Sequence, residues 1–167
     1  MQPVTVAISD IDRSRRTRNE HALRDVSDVT LLTNVTAANG AEFTTRRLKP
    51  RTNITIIEDE VARVRRLKPR VLLVDLSLCQ DSDENCIMLK SLHHECPATL
   101  AVLVGEEAGN EDLIIKALEA GARGYLSYEA VHQHLAKVAS VVNNGEVWVS
   151  RKMLGKVMDR VQGHELH

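Results

Sequence analysis

Hydrophobic and polar positions along the chain fall into two alternating kinds of run. Short, densely apolar, β-branched runs occur at Val4 to Asp10 (VTVAISD), Val29 to Thr36 (VTLLTNVT), Val71 to Leu78 (VLLVDLSL), Thr99 to Val104 (TLAVLV) and Tyr125 to Ser127 (YLS). Runs of this kind predict strands buried on both faces of a parallel sheet. Between them lie longer stretches of helical composition, around RSRRTRNEHALRDV, ITIIEDEVARVRRL, DENCIMLKSLHHE, NEDLIIKALEA and VHQHLAKVASVVNN. In the second of these, Ile57, Val61 and Val64 share one helical face, and Thr55 and Glu58 have the spacing of a capping box. Pro69 predicts that this helix stops just before it, because the residue preceding proline is pushed out of the α region.

The order βαβαβαβαβα predicts a doubly wound α/β fold, a parallel sheet with helices on both faces. Sites in such sheets form at the carboxyl ends of the strands, where Asp10 and Asp75 stand. A last amphipathic stretch, SRKMLGKVMDRV, spaces Met153, Leu154, Val157, Met158 and Val161 by three and four. It predicts a C-terminal helix that either packs back on the domain or joins two copies of the chain.

Composition narrows the picture. The 167 residues suit one domain, and with 43% hydrophobic but only 2% aromatic residues its core must be aliphatic. Twenty-two basic and 23 acidic side chains leave a net charge of -1, which removes any global pull toward nucleic acid or anionic membrane. Cys79, Cys86 and Cys96 lack the C-x-x-C spacing of zinc or redox sites and read as reduced thiols. With neither a signal-peptide pattern nor an apolar run of membrane-spanning length, a soluble cytoplasmic protein is expected.

Three segments, VLLVDLSL, ALEAGARGYL and NNGEVWVSRKML, together resemble the receiver domain of two-component response regulators of the LuxR-type (NarL/FixJ) class. The resemblance covers Val4 to Thr36 and Thr55 to Arg151. It implies a flavodoxin-like sheet of five strands in the order 2-1-3-4-5, with a receiver domain over residues 1–147. Residues 148–167 would form a linker helix toward a DNA-binding helix-turn-helix domain that is absent from this sequence. It places Asp75 at the phospho-acceptor position and Tyr125 at the switch aromatic.

Phosphoryl transfer from a histidine kinase to such an aspartate needs an acidic pair for Mg²⁺, a hydroxyl after the fourth strand and a lysine after the fifth. Asp10 supplies the first acid, but Ile11 stands at the second. The hydroxyl position falls on Gly105 by strand pattern or on Glu106 by counting back from Tyr125, and the lysine position is Tyr128. Leu78-Cys79 replaces the usual Met-Pro, and Asp83 lies near the usual glycine. The expectation is a degenerate receiver that keeps the fold and loses Mg²⁺-dependent phosphorylation; a conventional receiver using Asp75 is the alternative. Trp148 to Arg151 (WVSR) is similar to a segment with which some phosphorylation-independent members bind cyclic di-GMP. There Trp148 would stack on a guanine and Arg151 would meet a phosphate, while Ser150 completes the motif. In the plainer reading Trp148 is a core anchor, Ser150 an N-cap and Arg151 solvated.

Other chemistry is less well supported. The arginines of RSRRTR (Arg13 to Arg18) read as a solvated face, with Asp10 and Asp12 as their partners, rather than as a nucleic-acid contact. His93, His94, His132 and His134 diverge in direction on their helices and read as surface residues. A phosphatase-like hydrolase lacks an acid-base partner near Asp75. Finally, RRLKPR occurs at Arg46 to Arg51 and again at Arg65 to Arg70. The second copy reads as the boundary between the second helix and the strand carrying Asp75. The first marks an insertion at about 37–54, where Asn39-Gly40 signals a turn and a partner surface is expected.

Overall fold

The computed structural model describes residues 3–33, 53–79, 86–106 and 110–165. The elements are β1 (Val4–Ser9), α1 (Arg13–Leu23), β2 (Val29–Leu31), α2 (Asn53–Leu67), β3 (Val71–Asp75), a 3-10 turn (Leu76–Cys79), α3 (Ile87–Glu95), β4 (Leu100–Gly105), α4 (Glu111–Glu119), β5 (Tyr125–Ser127), α5 (Tyr128–Asn143) and α6 (Arg151–Glu165). All neighbouring strands pair in parallel, and the order is β2-β1-β3-β4-β5. This is the flavodoxin-like order expected from the sequence.

Side chains alternate across the strands and divide the core in two. Leu72 and Val74 of β3 face the layer of α2, α3 and α4, against Ile57, Val61 and Val64 and against Met88, Leu89 and Leu92. Val71 and Leu73 face the opposite layer, where α5 contributes Leu135, Val138 and Val142. All five residues of β3 are buried, as the central strand of a doubly covered sheet requires.

Several boundaries differ from the sequence expectation, each for a local reason. The run from Val71 to Leu78 stops being a strand at Asp75, whose Oδ1 accepts the N–H of Ser77 (3.0 Å) and turns the chain into the 3-10 segment. The second strand is only three residues long, and the rest of its predicted run beyond Thr33 lies outside the described residues. Helix α2 already runs from Asn53, so Thr55 sits inside it and is not an N-cap. Residues 53 and 54, expected in the insertion, are helical; 37–52, with the first RRLKPR and Asn39-Gly40, lie outside the described residues, as does Asp83.

Helix α2 does end before Pro69. Lys68 turns into the left-handed region (φ 53°) while its N–H still reaches the Val64 carbonyl (2.8 Å), and Arg70 N–H then bonds to Thr5 as β3 begins. The second RRLKPR is therefore the helix-to-strand boundary. Among the described residues no helix is long and apolar enough to cross a membrane, and the three cysteines are buried. Leu72 is fully buried at the sheet centre. Leu72→Ala should cost about 3 kcal/mol of unfolding free energy in urea melts, with an unchanged far-ultraviolet spectrum in native buffer.

Candidate functional site

The register places the two acids side by side. Ser9 pairs with Val74 in the β1 to β3 ladder, so Asp10 and Asp75 leave the sheet together at its carboxyl edge. Both are nearly inaccessible, at 3% and 4% exposure. Two buried carboxylates at close quarters require a cation or strong donors, because neither can be desolvated alone at low cost.

Helix α1 supplies the cation. Asp10 Oδ1 accepts the Asp12 N–H (2.9 Å), and Asp12 in turn caps the helix by accepting the Arg15 N–H (3.1 Å). The helix therefore begins at Arg13, and its first turn brings Arg15 back over the sheet edge. Arg15 Nε and Nη2 each lie 2.6 Å from an oxygen of Asp10, a bidentate pair, and Nη2 also stands 3.3 Å from Asp75 Oδ1. One guanidinium thus touches both acids. The hydrogen bond to Asp10, opposed by partial burial and aided by the charge of Asp75, holds Arg15 more firmly protonated than an ordinary arginine.

Both Asp75 oxygens are occupied. Oδ1 accepts from the N–H (3.0 Å) and the hydroxyl (2.6 Å) of Ser77, and Oδ2 accepts from the Tyr128 hydroxyl at the start of α5. The Arg15 guanidinium also lies 5.6 Å from the centre of the Tyr128 ring. Beside the acids is a cavity of about 20 Å³, lined among others by Ser9, Asp10, Asn19, Asp75 and Tyr128. That is room for one water molecule.

The remaining pocket residues are dispersed. Ile11, at the second acidic position, is 42% exposed and is not among the residues lining this cavity, because the chain turns outward at the Asp12 cap. Gly105 ends β4 opposite Ser127, and a Cβ built on it would lie 2.8 Å from the Tyr125 hydroxyl oxygen. That phenol fills the space a side chain at 105 would need and donates to the Glu106 carbonyl. Glu106 itself is exposed.

A different arrangement surrounds the C-terminal segment. Trp148 adds one parallel bridge to the sheet opposite Gly124, with its N–H on the Arg123 carbonyl (2.8 Å) and its carbonyl on the Tyr125 N–H (2.9 Å). Its half-buried indole has Lys137 Nζ 5.9 Å from the ring centre and the His134 ring at 6.2 Å. Ser150 caps α6, its Oγ accepting the Met153 N–H (3.1 Å). Trp148, Ser150, Tyr125, His134 and Met153 line an open cleft of about 710 Å³ between β5, α5 and α6. Arg151 is exposed and is not among its lining residues. His93, His94, His132 and His134 are all exposed.

Sequence reasoning missed a second buried polar cluster. Glu60 Oε2 accepts from the Ser9 hydroxyl (2.9 Å) and from Arg63 Nε and Nη2 (3.2 and 3.0 Å), and Oε1 accepts from Arg16 Nη1 (3.2 Å). Arg63 also donates to the Ile8 carbonyl. Burial lowers the pKa of Arg16 and raises that of neighbouring Glu20. Arg15 and Arg16 therefore turn inward, which corrects the solvated reading of RSRRTR; only Arg13 and Arg18 are exposed. The available signal was Glu60, which falls on the apolar stripe of Ile57, Val61 and Val64 where a solvated charge does not belong.

Comparison with known proteins yields structural relatives only. No protein-family model matches the chain, and no curated protein matches it. Solved structures similar to it include a LuxR-family two-component response regulator from Aurantimonas sp. SI85-9A1 (TM-score 0.64, 12% identity, 95% of this chain and 98% of that one). The isolated REC domain of RcsB from Salmonella enterica serovar Typhimurium matches at TM-score 0.59 and 12% identity over 93% of this chain and 98% of that one. RcsB as two dimers bound to two parallel DNAs matches at TM-score 0.56 and 13% identity, covering 95% of this chain and 69% of that one. The chain has the receiver fold.

Burial first, then the hydrogen bond to Asp75, raises the Tyr128 pKa well above that of an ordinary tyrosine, and burial raises Tyr125 as well. A group whose pKa is higher in the folded state contributes stability that is complete below its unfolded pKa and is lost as pH rises through the folded one. The folded protein should thus lose stability as pH climbs above about 10. Tyr128→Phe should flatten that loss in urea melts across the alkaline range.

Proposed function

We propose that this chain is a non-enzymatic signal-input and dimerisation receiver of a LuxR-type transcriptional regulator, set by contacts with other molecules and not by aspartyl phosphorylation. The observation that carries the reading is the Arg15 guanidinium shared by Asp10 and Asp75. In a phosphorylated receiver that space between the acids belongs to Mg²⁺, and an acceptor oxygen must be free to attack phosphorus. Here a fixed cation takes the first role and donors cover both acceptor oxygens.

The donor set fits Mg²⁺ poorly. The divalent ion needs oxygen ligands in near-octahedral array and repels a guanidinium, while position 11 offers only an exposed isoleucine. Tyr128 can donate a hydrogen bond to an anion but supplies no positive charge where the family has lysine. Input then falls to a partner protein or to self-association, and DNA contact to a helix-turn-helix domain outside this sequence. RcsB, of the same fold, is known as dimers on DNA.

Acetyl phosphate with Mg²⁺ should leave the intact mass of the protein unchanged; robust modification at Asp75 would return the site to conventional phospho-acceptance. Removing the cation tests its structural part. Arg15→Ala strands two buried carboxylates and should cost about 3 kcal/mol in urea melts, with Arg15→Lys recovering part of it.

The cleft lined by Trp148 and Ser150 is compatible with a second reading, a cyclic di-GMP sensor in which Arg151, outside the cleft lining, would have to swing toward a bound ligand. Isothermal titration with cyclic di-GMP should then give heats that Trp148→Ala and Arg151→Ala abolish. Heats unchanged by either substitution discard the site.

A further inference from the structure

The second RRLKPR does more than end α2. Arg65, Lys68, Pro69 and Arg70 line a cleft of about 300 Å³ at the amino ends of β1, β3 and β4, the edge of the sheet opposite Asp10 and Asp75. That volume is at the lower end of the range in which small ligands bind. The floor is apolar, with Val64, Pro69 and Cys96 all buried. Its backbone is already satisfied, since the Thr99 hydroxyl donates to the Pro69 carbonyl (2.7 Å) and the Thr99 N–H to the Cys96 carbonyl (3.0 Å). What the floor offers a ligand is therefore apolar contact.

The rim is cationic. Arg65 is paired with Glu95 (3.0 Å), but Arg70 donates only to neutral acceptors, Asn143 Oδ1 (2.7 Å) and the Ala98 carbonyl (2.8 Å). Among the described residues no acid pairs with Lys68 or Arg70, and both are exposed. The carboxyl end of α2, worth about half an elementary charge, offsets only part of these two cations. Lys68 also turns at φ 53°, a left-handed conformation that glycine or asparagine adopts at lower cost. A lysine held in such a conformation points to a use for its side chain. Uncompensated positive charge beside an apolar floor suits an anion that carries a small apolar body. A bare phosphate would leave the floor unused, and a neutral apolar molecule would leave the rim unused.

We propose that this cleft binds a small carboxylic acid with an alkyl or aryl body. The carboxylate lies against Lys68 and Arg70, and the body covers Val64 and Cys96. The site is separate from the Asp75 junction and from the Trp148 cleft, so it stands or falls independently of the function proposed for either. A ligand of this size on so open a cleft should bind weakly, with a dissociation constant on the order of 0.1 mM.

Calorimetric titration of the whole chain with octanoate provides the test, with octan-1-ol and acetate probing the body and the charge alone. Each of these partial probes should bind at least about tenfold more weakly than octanoate. Lys68→Glu should raise the octanoate dissociation constant at least about tenfold, and Ala98→Trp, on the exposed lip, should block the cleft. Lys68→Gly should weaken binding about fivefold while the midpoint of thermal unfolding holds or rises, because glycine relieves the left-handed turn. Lost binding in that variant is then not lost folding. No binding of octanoate up to about 5 mM overturns the site. Octan-1-ol binding as tightly as octanoate overturns it too, as do octanoate affinities that none of the three substitutions changes.

Discussion

Everything at the carboxyl edge of the sheet depends on one electrostatic requirement. Parallel pairing of β1 with β3 delivers Asp10 and Asp75 to the same place and buries both. Two adjacent desolvated carboxylates repel, and a cation that touches both offsets that repulsion. Arg15 is that cation, and its reach is set by where α1 begins, which is set by Asp12 capping the helix next to the turn that Asp10 itself organises. Acid, cap and cation form one local circuit, closed within six residues of sequence. Through Asp75 it extends to Ser77 and to Tyr128, so β1, β3, α1 and α5 meet at a single polar junction.

A second polar junction lies close by, on the other side of α1. Glu60 and Arg63 of α2 reach over β1 to Ser9 and the Ile8 carbonyl, and Arg16 joins them from α1. Successive arginines on one helix turn thus point to different acids. Arg15 goes to the pair at the strand ends and Arg16 to Glu60. This arrangement fixes the rotation of α1 about its axis, because turning the helix would take Arg15 from Asp10 and Arg16 from Glu60 together.

Much of this was legible in the sequence, and the parts that were not have a common cause. Strand runs such as LAVLV and the break at Lys68-Pro69 depend on composition and backbone sterics, which act within a few residues. Asp10 and Asp75 were identifiable because an acid within or at the end of a densely apolar run is conspicuous. Arg15 was harder: RSRRTR presents four arginines alike, and only the helix start decides which of them faces inward. The early end of β3 came from the Asp75 carboxylate bonding its own backbone two residues on, while the apolar pattern continued through Leu76 and Leu78. The Glu60 cluster was missed because its partners are far apart in sequence, Ser9 and Glu60 above all. Tertiary pairing across 51 positions leaves only an odd charge on an apolar stripe as its local trace.

The bridge at Trp148 has a consequence of its own. β5 is the outermost strand on its side of the sheet, and an unpaired strand edge invites another chain to add to it. The carbonyl and N–H of Trp148 satisfy Tyr125 and Arg123, and its backbone sits so close to Gly124 that a side chain there would collide with it. The protein therefore seals this edge of its own sheet with the very segment that leads into α6. A foreign strand could pair with Arg123 to Tyr125 only by displacing that segment, so the start of α6 and the integrity of this sheet edge stand or fall together.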